Sequence, residues 1–364
     1  MREQVVLGLL AVGFGLVASV VLFVPFVAHS YRRWGRFSGV RAAAWSAALV
    51  YFWAIWTYTL LPLPEPDAVR CAPRNTTPLA FLDDLRAAVA GASGRRELLL
   101  DPAVLQVGLN VVLFVPLGVF LRVLGGRGIV LAGFVGLGLS GLVETTQLTG
   151  VWGLYPCAYR VFDVDDLILN TSGALIGSVL ALVVPRRHRG RAHRDAVITP
   201  RAVTKPRRVL AMACDLLGFA LLELTATVAV RAVLLYGTGD REALAGPVPG
   251  LVGTLVPLAV WLAVTLATGR SVGDHAVRVR YVGGRVPEWA ARLVRFGAGV
   301  GGFGVLSLLP AQWALASSGF AVLALLVALV TRRGRGLPGL LSGRELEDAA
   351  AVPGGGGSTD GEQR

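Results

Sequence analysis

Charge is scarce in this chain. Only 16% of its 364 residues are charged, 54% are hydrophobic, and the mean hydropathy is +0.63. A soluble domain of this size needs more polar surface, so a soluble globular protein is excluded. Histidine is equally sparse. His29, His188, His193 and His275 show no metal-ligand spacing, and no metal site is expected. No phosphate-binding loop and no Ser-His-Asp arrangement occurs, so no cofactor is expected and catalytic residues are unknown. Lysine is almost missing: Lys205 is the only one, and every other basic side chain is Arg. The formal net charge is nevertheless +12. The arginines sit in short stretches between apolar runs, which points to membrane orientation and away from nucleic acid.

What the chain does have is a series of apolar runs long enough to cross a bilayer core of roughly 30 Å. The pattern predicts an all-α polytopic transmembrane helix bundle of about nine spans, near 5–28, 41–62, 104–124, 128–149, 167–185, 208–235, 249–268, 290–309 and 312–331. Arg-rich segments follow the first, third, fifth, seventh and ninth runs, as in Arg32–Arg33–Arg36, Arg122 with Arg127, and Arg186–Arg187–Arg189. The positive-inside rule then puts the N-terminus outside and the C-terminus inside. A basic stretch at 186–206 divides a five-helix unit (1–185) from a four-helix unit (207–347). Residues 348–364 read as a polar, low-complexity, disordered tail.

Ionisable groups at membrane depth are costly and mark functional sites. Here they gather between Glu144 and Asn170. Glu144 and Gln147 share one helix face near the end of the fourth run. Arg160, Asp163, Asp165 and Asp166 precede the fifth run, and Asn170 lies just inside it. Asn110 sits near the start of the third run, so several helices aim polar groups at one depth. Asp166 and Asn170 are four residues apart and face one cleft, while Gly173 and Gly177 permit close helix packing. The same network could instead simply lock helices together. Cys71 and Cys157 both fall on the outer side of this topology, where they either form a disulfide or remain two free thiols. In the second unit, Asp215 lies about two turns into the sixth run, and Arg292 or Arg295 would offset its burial as a structural ion pair.

Four blocks resemble the VanZ-like family in order: N-x-x-P-L at Asn75 to Leu79, N-V-V-L-F-V-P-L-G at Asn110 to Gly118, E-x-x-Q at Glu144 and Gln147, and R-V-F-D-V-D-D-L-I-L-N-T-S-G-A-L-I-G at Arg160 to Gly177. The resemblance covers roughly residues 41–185. The family is named for a protein associated with low-level resistance to the glycopeptide teicoplanin. The resemblance implies a multi-pass protein of the bacterial plasma membrane. Its outer-leaflet cleft would meet a glycopeptide or a lipid-linked cell-wall precursor, with Asn110, Glu144, Gln147, Arg160, Asp163, Asp166 and Asn170 as ligand-binding residues. Residues 207–345 are similar to the RDD family through Arg207 or Arg208 with Asp215, the stretch Arg270 to Gly284, Arg292 with Arg295, and Gly336 to Leu346. Asp274 stands where that family has Lys, and Pro338 and Gly339 where it has His and Asp. Beside the binding reading stand two others: a transporter or proton antiporter using Glu144, Asp215 and Glu223, and a membrane-embedded hydrolase or transferase with a carboxylate as general base. Membrane lipid is an expected partner in all of them.

Overall fold

A computed structural model describes residues 2–65, 69–185, 189–190, 200–239 and 241–351. The basic residues Arg186, Arg187, Arg191 and Arg194 and the tail from 352 onward lie outside the described residues. The first elements are α1 (Arg2–Val21), α2 (Phe23–Trp34), α3 (Gly39–Leu60), β1 (Arg74–Asn75), α4 (Phe81–Gly91) and α5 (Arg95–Leu100). Then come α6 (Pro102–Val123), α7 (Ile129–Leu148), α8 (Gly150–Gly153), β2 (Phe162–Asp163), α9 (Val164–Leu180) and α10 (Lys205–Ala232). The remainder is α11 (Arg241–Ala245), α12 (Val248–Thr268), α13 (Val272–Ala276), β3 (Val279–Val282), α14 (Glu288–Gly297), α15 (Val300–Ser307), α16 (Ala314–Val330), α17 (Gly336–Ser342) and β4 (Glu345–Asp348).

The chain is mostly helical, and among the described residues five helical stretches are long and apolar enough to cross a membrane: Pro102–Val123, Ile129–Leu148, Val164–Val183, Lys205–Gly237 and Val248–Thr268. The bent pair Val5–Val21 with Phe23–Trp34 would give a sixth. The expected nine are therefore not all present as single helices. The first run breaks at Leu22 (φ −90°, ψ 3°). Pro25 lacks the N–H that a continuous helix would direct at Val21, so the chain restarts with proline in the first turn of α2. The eighth run breaks at Gly299 (φ −114°, ψ −143°) and becomes α14 and α15. The ninth shrinks to α16, whose 17 residues rise about 25 Å. α3 is 22 residues long, but its Trp, Tyr, Ser and Thr content leaves it short of the apolarity of the five.

Contacts divide the chain into two compact units, Met1–Val20 with Gly39–Arg194, and Val21–Ser38 with Asp195–Arg364. The sequence expectation of a boundary near 185 thus misses one segment, since α2 packs within the second unit.

In the first unit α6, α7 and α9 form the centre. α6 and α9 meet with backbones almost touching. A Cβ built on Gly173 or Gly177 would lie 2.1 Å from the Val111 carbonyl oxygen or 1.9 Å from that of Val115. Phe114, Ala132 and Ala174 are fully buried at these crossings. Asp101 caps α6 by accepting from the Ala103 amide at 2.9 Å, with Pro102 as first helical residue.

In the second unit α10 packs on α12 and α13. One apolar cluster joins Val27 and Tyr31 of α2 to Ala211, Cys214, Val277, Val279 and Leu346. Another stacks Phe219 against Trp261 and Phe303, at centroid distances of 5.9 and 6.1 Å. β3 and β4 pair antiparallel, Val279 opposite Asp348 and Val282 opposite Glu345. Asp348 is thereby ordered and takes an ion pair from Arg207 at 3.0 Å, so a disordered tail does not begin at 348.

Candidate functional site: an acidic cleft in the first unit

The cleft begins where α7 ends. Gly150, Val151 and Trp152 follow in the left-handed region (φ 59°, 57° and 58°) and turn the chain back. The returning loop is fastened in several places. Tyr155 and Tyr159 donate from their hydroxyls to the Pro64 and Leu60 carbonyls at 2.8 and 3.1 Å. A disulfide joins Cys71 to Cys157, and the Ala72 amide donates to the Ala158 carbonyl. β1 then pairs in parallel with β2, Arg74 beside Phe162 and Asn75 beside Asp163.

This fastening sets three successive carboxylates. Asp163 caps α9 by accepting from the Asp165 amide at 2.8 Å, and accepts the Asn75 amide group at 3.2 Å. Asp165 is buried and accepts the Leu79 and Phe81 amides at 2.6 and 2.9 Å. That bidentate grip holds Leu79 at φ 66°, a left-handed conformation that costs on the order of 1–3 kcal/mol. Asp165→Ala is expected to free this turn at a cost of about 1–3 kcal/mol. Hydrogen exchange at the Leu79 and Phe81 amides checks it, and unchanged protection would contradict the role.

Asp166 is the carboxylate left for other work. Asn110 of α6 donates to it, and Glu144 of α7 stands beside it. Glu144, itself 2% exposed, also accepts the Asp163 amide at 3.1 Å. Below it Asn170 donates to the Ser140 hydroxyl at 2.9 Å, while the Asn170 side-chain oxygen is buried without a partner. The structure thus brings together Asn110, Glu144, Asp163, Asp166 and Asn170.

Arg160 and Gln147 go elsewhere. Arg160 donates from both terminal nitrogens to the carbonyls of Thr59 and Leu61, at 3.0 and 2.9 Å, and Gln147 donates to Thr59 at 2.7 Å. These are carbonyls at the C-terminus of α3, left without intrahelical donors where Pro62 follows, and a cation there complements the helix dipole. Of the expected ligand contacts, Arg160 therefore fastens α3 to the loop and Gln147 fastens α3 to α7.

The resulting open cleft is small, with a volume of about 40 Å³. Its polar lining is Asn75, Asp84, Gln106, Asp163, Asp165 and Asp166, with neither Lys nor Arg among the lining residues. No group of three or more His, Cys, Asp or Glu able to hold a metal occurs among the described residues. Sequence reasoning passed over Asp165, Ser140, Asp84 and Gln106 as site residues. Ser140 had a signal, one turn before Glu144 on α7. Gln106 had the same signal, one turn before Asn110 on α6.

Residues 47–185 match the VanZ/LLP1 family. The matched segment holds the disulfide, both short strands and every residue of the acidic cleft. Comparison with curated proteins and with solved structures returns no match. The VanZ/LLP1 match does not extend to residues 207–345, so the RDD resemblance of the second unit rests on its residues alone.

There the expected ion pair is also rearranged. Asp215 accepts from Trp261 Nε1 at 2.8 Å, Ser271 Oγ at 2.6 Å and the Gly273 amide at 2.7 Å, with Arg295 at 3.8 Å. Arg292 does not reach it. Its guanidinium bonds Glu288 at 3.2 Å and the Leu266 carbonyl at 2.5 Å, at the end of α12. The centre of the network is Asp274, paired with Arg208 at 2.8 Å and Arg295 at 2.6 Å. The S-x-x-D capping box of Ser271 and Asp274 was its sequence signal. Burial pushes the Asp274 carboxyl up, but the Arg295 and Arg208 guanidinium groups outweigh it and hold the group below the usual carboxylate range.

Proposed function

We propose that the VanZ-like unit presents its cleft at the outer face of a bacterial plasma membrane and receives a ligand rich in ammonium and hydroxyl groups, of which the glycopeptide teicoplanin is the first candidate. The observation that carries this reading is the sign of the cleft. Its lining is carboxylate and carboxamide, and Arg160 is spent on the carbonyls of Thr59 and Leu61. Such a lining repels a pyrophosphate and attracts amines and sugar hydroxyls. A lipid-linked precursor carrying phosphate is thus the weaker candidate.

Sidedness is supported within the unit itself. Asn110 and Arg122 stand on α6 about 18 Å apart along its axis. Arg122 and Arg127 mark the end opposite the cleft, which the positive-inside rule assigns to the cytoplasm. The disulfide fits the oxidising side.

The test is expression of the full chain in a glycopeptide-sensitive Gram-positive host. Wild type is expected to raise the inhibitory concentration of teicoplanin, and Asp166→Asn to return it to the vector level at equal membrane abundance. No rise with wild type would overturn the reading.

A second reading, proton-coupled exchange, is favoured by two acids held at one site, the buried Glu144 on the Asp163 amide and Asp166 on Asn110. It predicts a pH-gradient-driven flux in proteoliposomes that Glu144→Gln abolishes. The same flux in the variant would contradict it. The relay through Asp215 loses support, because that carboxylate is occupied by Trp261, Ser271 and Gly273.

A further inference from the structure

The second unit contains a small, partly open cavity of about 40 Å³ beside its buried ion network. One part of its wall is apolar, with Leu216 of α10, Phe303 of α15 and Phe320 of α16. The other part is built from Arg208, Arg295 and Asp215. These three are 3%, 4% and 4% exposed, so the polar wall is part of the packed interior.

Donors and acceptors in that wall do not balance. Both Asp215 oxygens are occupied, by Trp261 and Gly273 on one side and Ser271 on the other. Both Asp274 oxygens are occupied as well, by Arg208 on one side and Arg295 with the Ser271 amide on the other. The surplus is a donor: Arg208 Nε is buried and has no partner. Leaving a charged donor unpaired costs more than leaving a neutral one. Gly299 contributes from the other side. A Cβ there would lie 2.6 Å from Arg295 Nη1, so only a bare backbone lets that nitrogen reach the cavity wall.

A surplus of guanidinium N–H against an apolar wall calls for an acceptor attached to hydrocarbon. We propose that this cavity binds an anion carried on an alkyl chain, the head meeting Arg208 and Arg295 and the chain lying between Leu216, Phe303 and Phe320. An anionic membrane lipid and a free amphiphile share this chemistry. The site is independent of the acidic cleft, since no residue lines both.

The test uses the full chain in a maltoside detergent, with thermal unfolding as readout and dodecyl phosphate, inorganic phosphate and dodecanol as probes. Dodecyl phosphate near a hundredfold excess over its Kd is expected to raise Tm by about 5 °C or more. Inorganic phosphate and dodecanol at the same concentration should leave Tm in place. Ala321→Trp, which fills the cavity from α16, should abolish the shift, and Leu216→Trp serves where the first variant folds poorly. An equal shift in the filled variants, or an equal shift with inorganic phosphate, would overturn the proposal. Repeating the titration in nanodiscs separates the two sources. A shift present in phosphatidylcholine but absent in phosphatidylglycerol means that the lipid occupies the site. A shift of equal size in both means that a free amphiphile does.

Discussion

Asp274→Ala is expected to destabilise the second unit by about 3–5 kcal/mol, the cost of leaving buried charges without their partner. Asp274 is fully buried and holds two guanidinium groups, Arg208 and Arg295. Removing it leaves two cations and only Asp215, whose oxygens are already bonded to Trp261, Ser271 and Gly273. Tyr281 stacks near both arginines, at 5.8 and 5.4 Å, but a ring face replaces little of an ion pair. Thermal unfolding of the full chain in detergent measures the loss. The double variant Asp274→Leu with Arg208→Met should recover part of it, because it removes one charge of each sign. The pH dependence has a definite sign. The folded Asp274 carboxyl sits below its ordinary value, so its contribution is present above the unfolded carboxylate range and is lost as pH falls through the folded value. Wild type should lose Tm in acid, and Asp274→Ala should lose less. A variant that melts with wild type at neutral pH would contradict the assignment.

Gly177→Leu is expected to separate α6 from α9 and to cost at least about 3 kcal/mol, beyond ordinary overpacking. The obstacle is main chain, the Val115 carbonyl oxygen 1.9 Å from the built Cβ, so no rotamer change relieves it. Because α6 carries Asn110 and α9 carries Asp166, the same change should pull the cleft apart and remove its function. Gly138→Leu is the control. It lies on α7 with nothing within 4 Å of a built Cβ and should leave stability near wild type. Equal melting of Gly177→Leu and Gly138→Leu would contradict the close crossing.

Much of the cleft was legible because its members are side chains that are costly in an apolar helix. Glu144, Asp166, Asn110 and Asn170 announce themselves by composition, and in the structure Asp166 lines the cleft, Asn110 and Glu144 hold Asp166 and the Asp163 amide behind it, and Asn170 turns to Ser140. The partners of Arg160 and Gln147 were not legible, for a physical reason. They are the backbone carbonyls of Thr59 and Leu61, which carry no residue code, so a sequence shows the donor and hides the acceptor. Asp165 was hidden in the same way, since it holds the amides of Leu79 and Phe81. The helix breaks escaped because hydropathy averages over a window, whereas Pro25 and Gly299 act at single residues. The Asp274 centre escaped because it forms between α10, α13 and α14, where Arg292 and Arg295 looked equivalent until one was turned to Glu288.

The central claim is that the acidic cleft binds an ammonium- and hydroxyl-rich ligand through Asp166. The direct measurement is binding of teicoplanin to the full chain in nanodiscs, wild type against Asp166→Asn, with melting of both proteins followed in parallel. Saturable binding that weakens about tenfold in the variant, or about 1.4 kcal/mol, at unchanged Tm is the expected result. No binding to wild type, or equal binding to both, would contradict it.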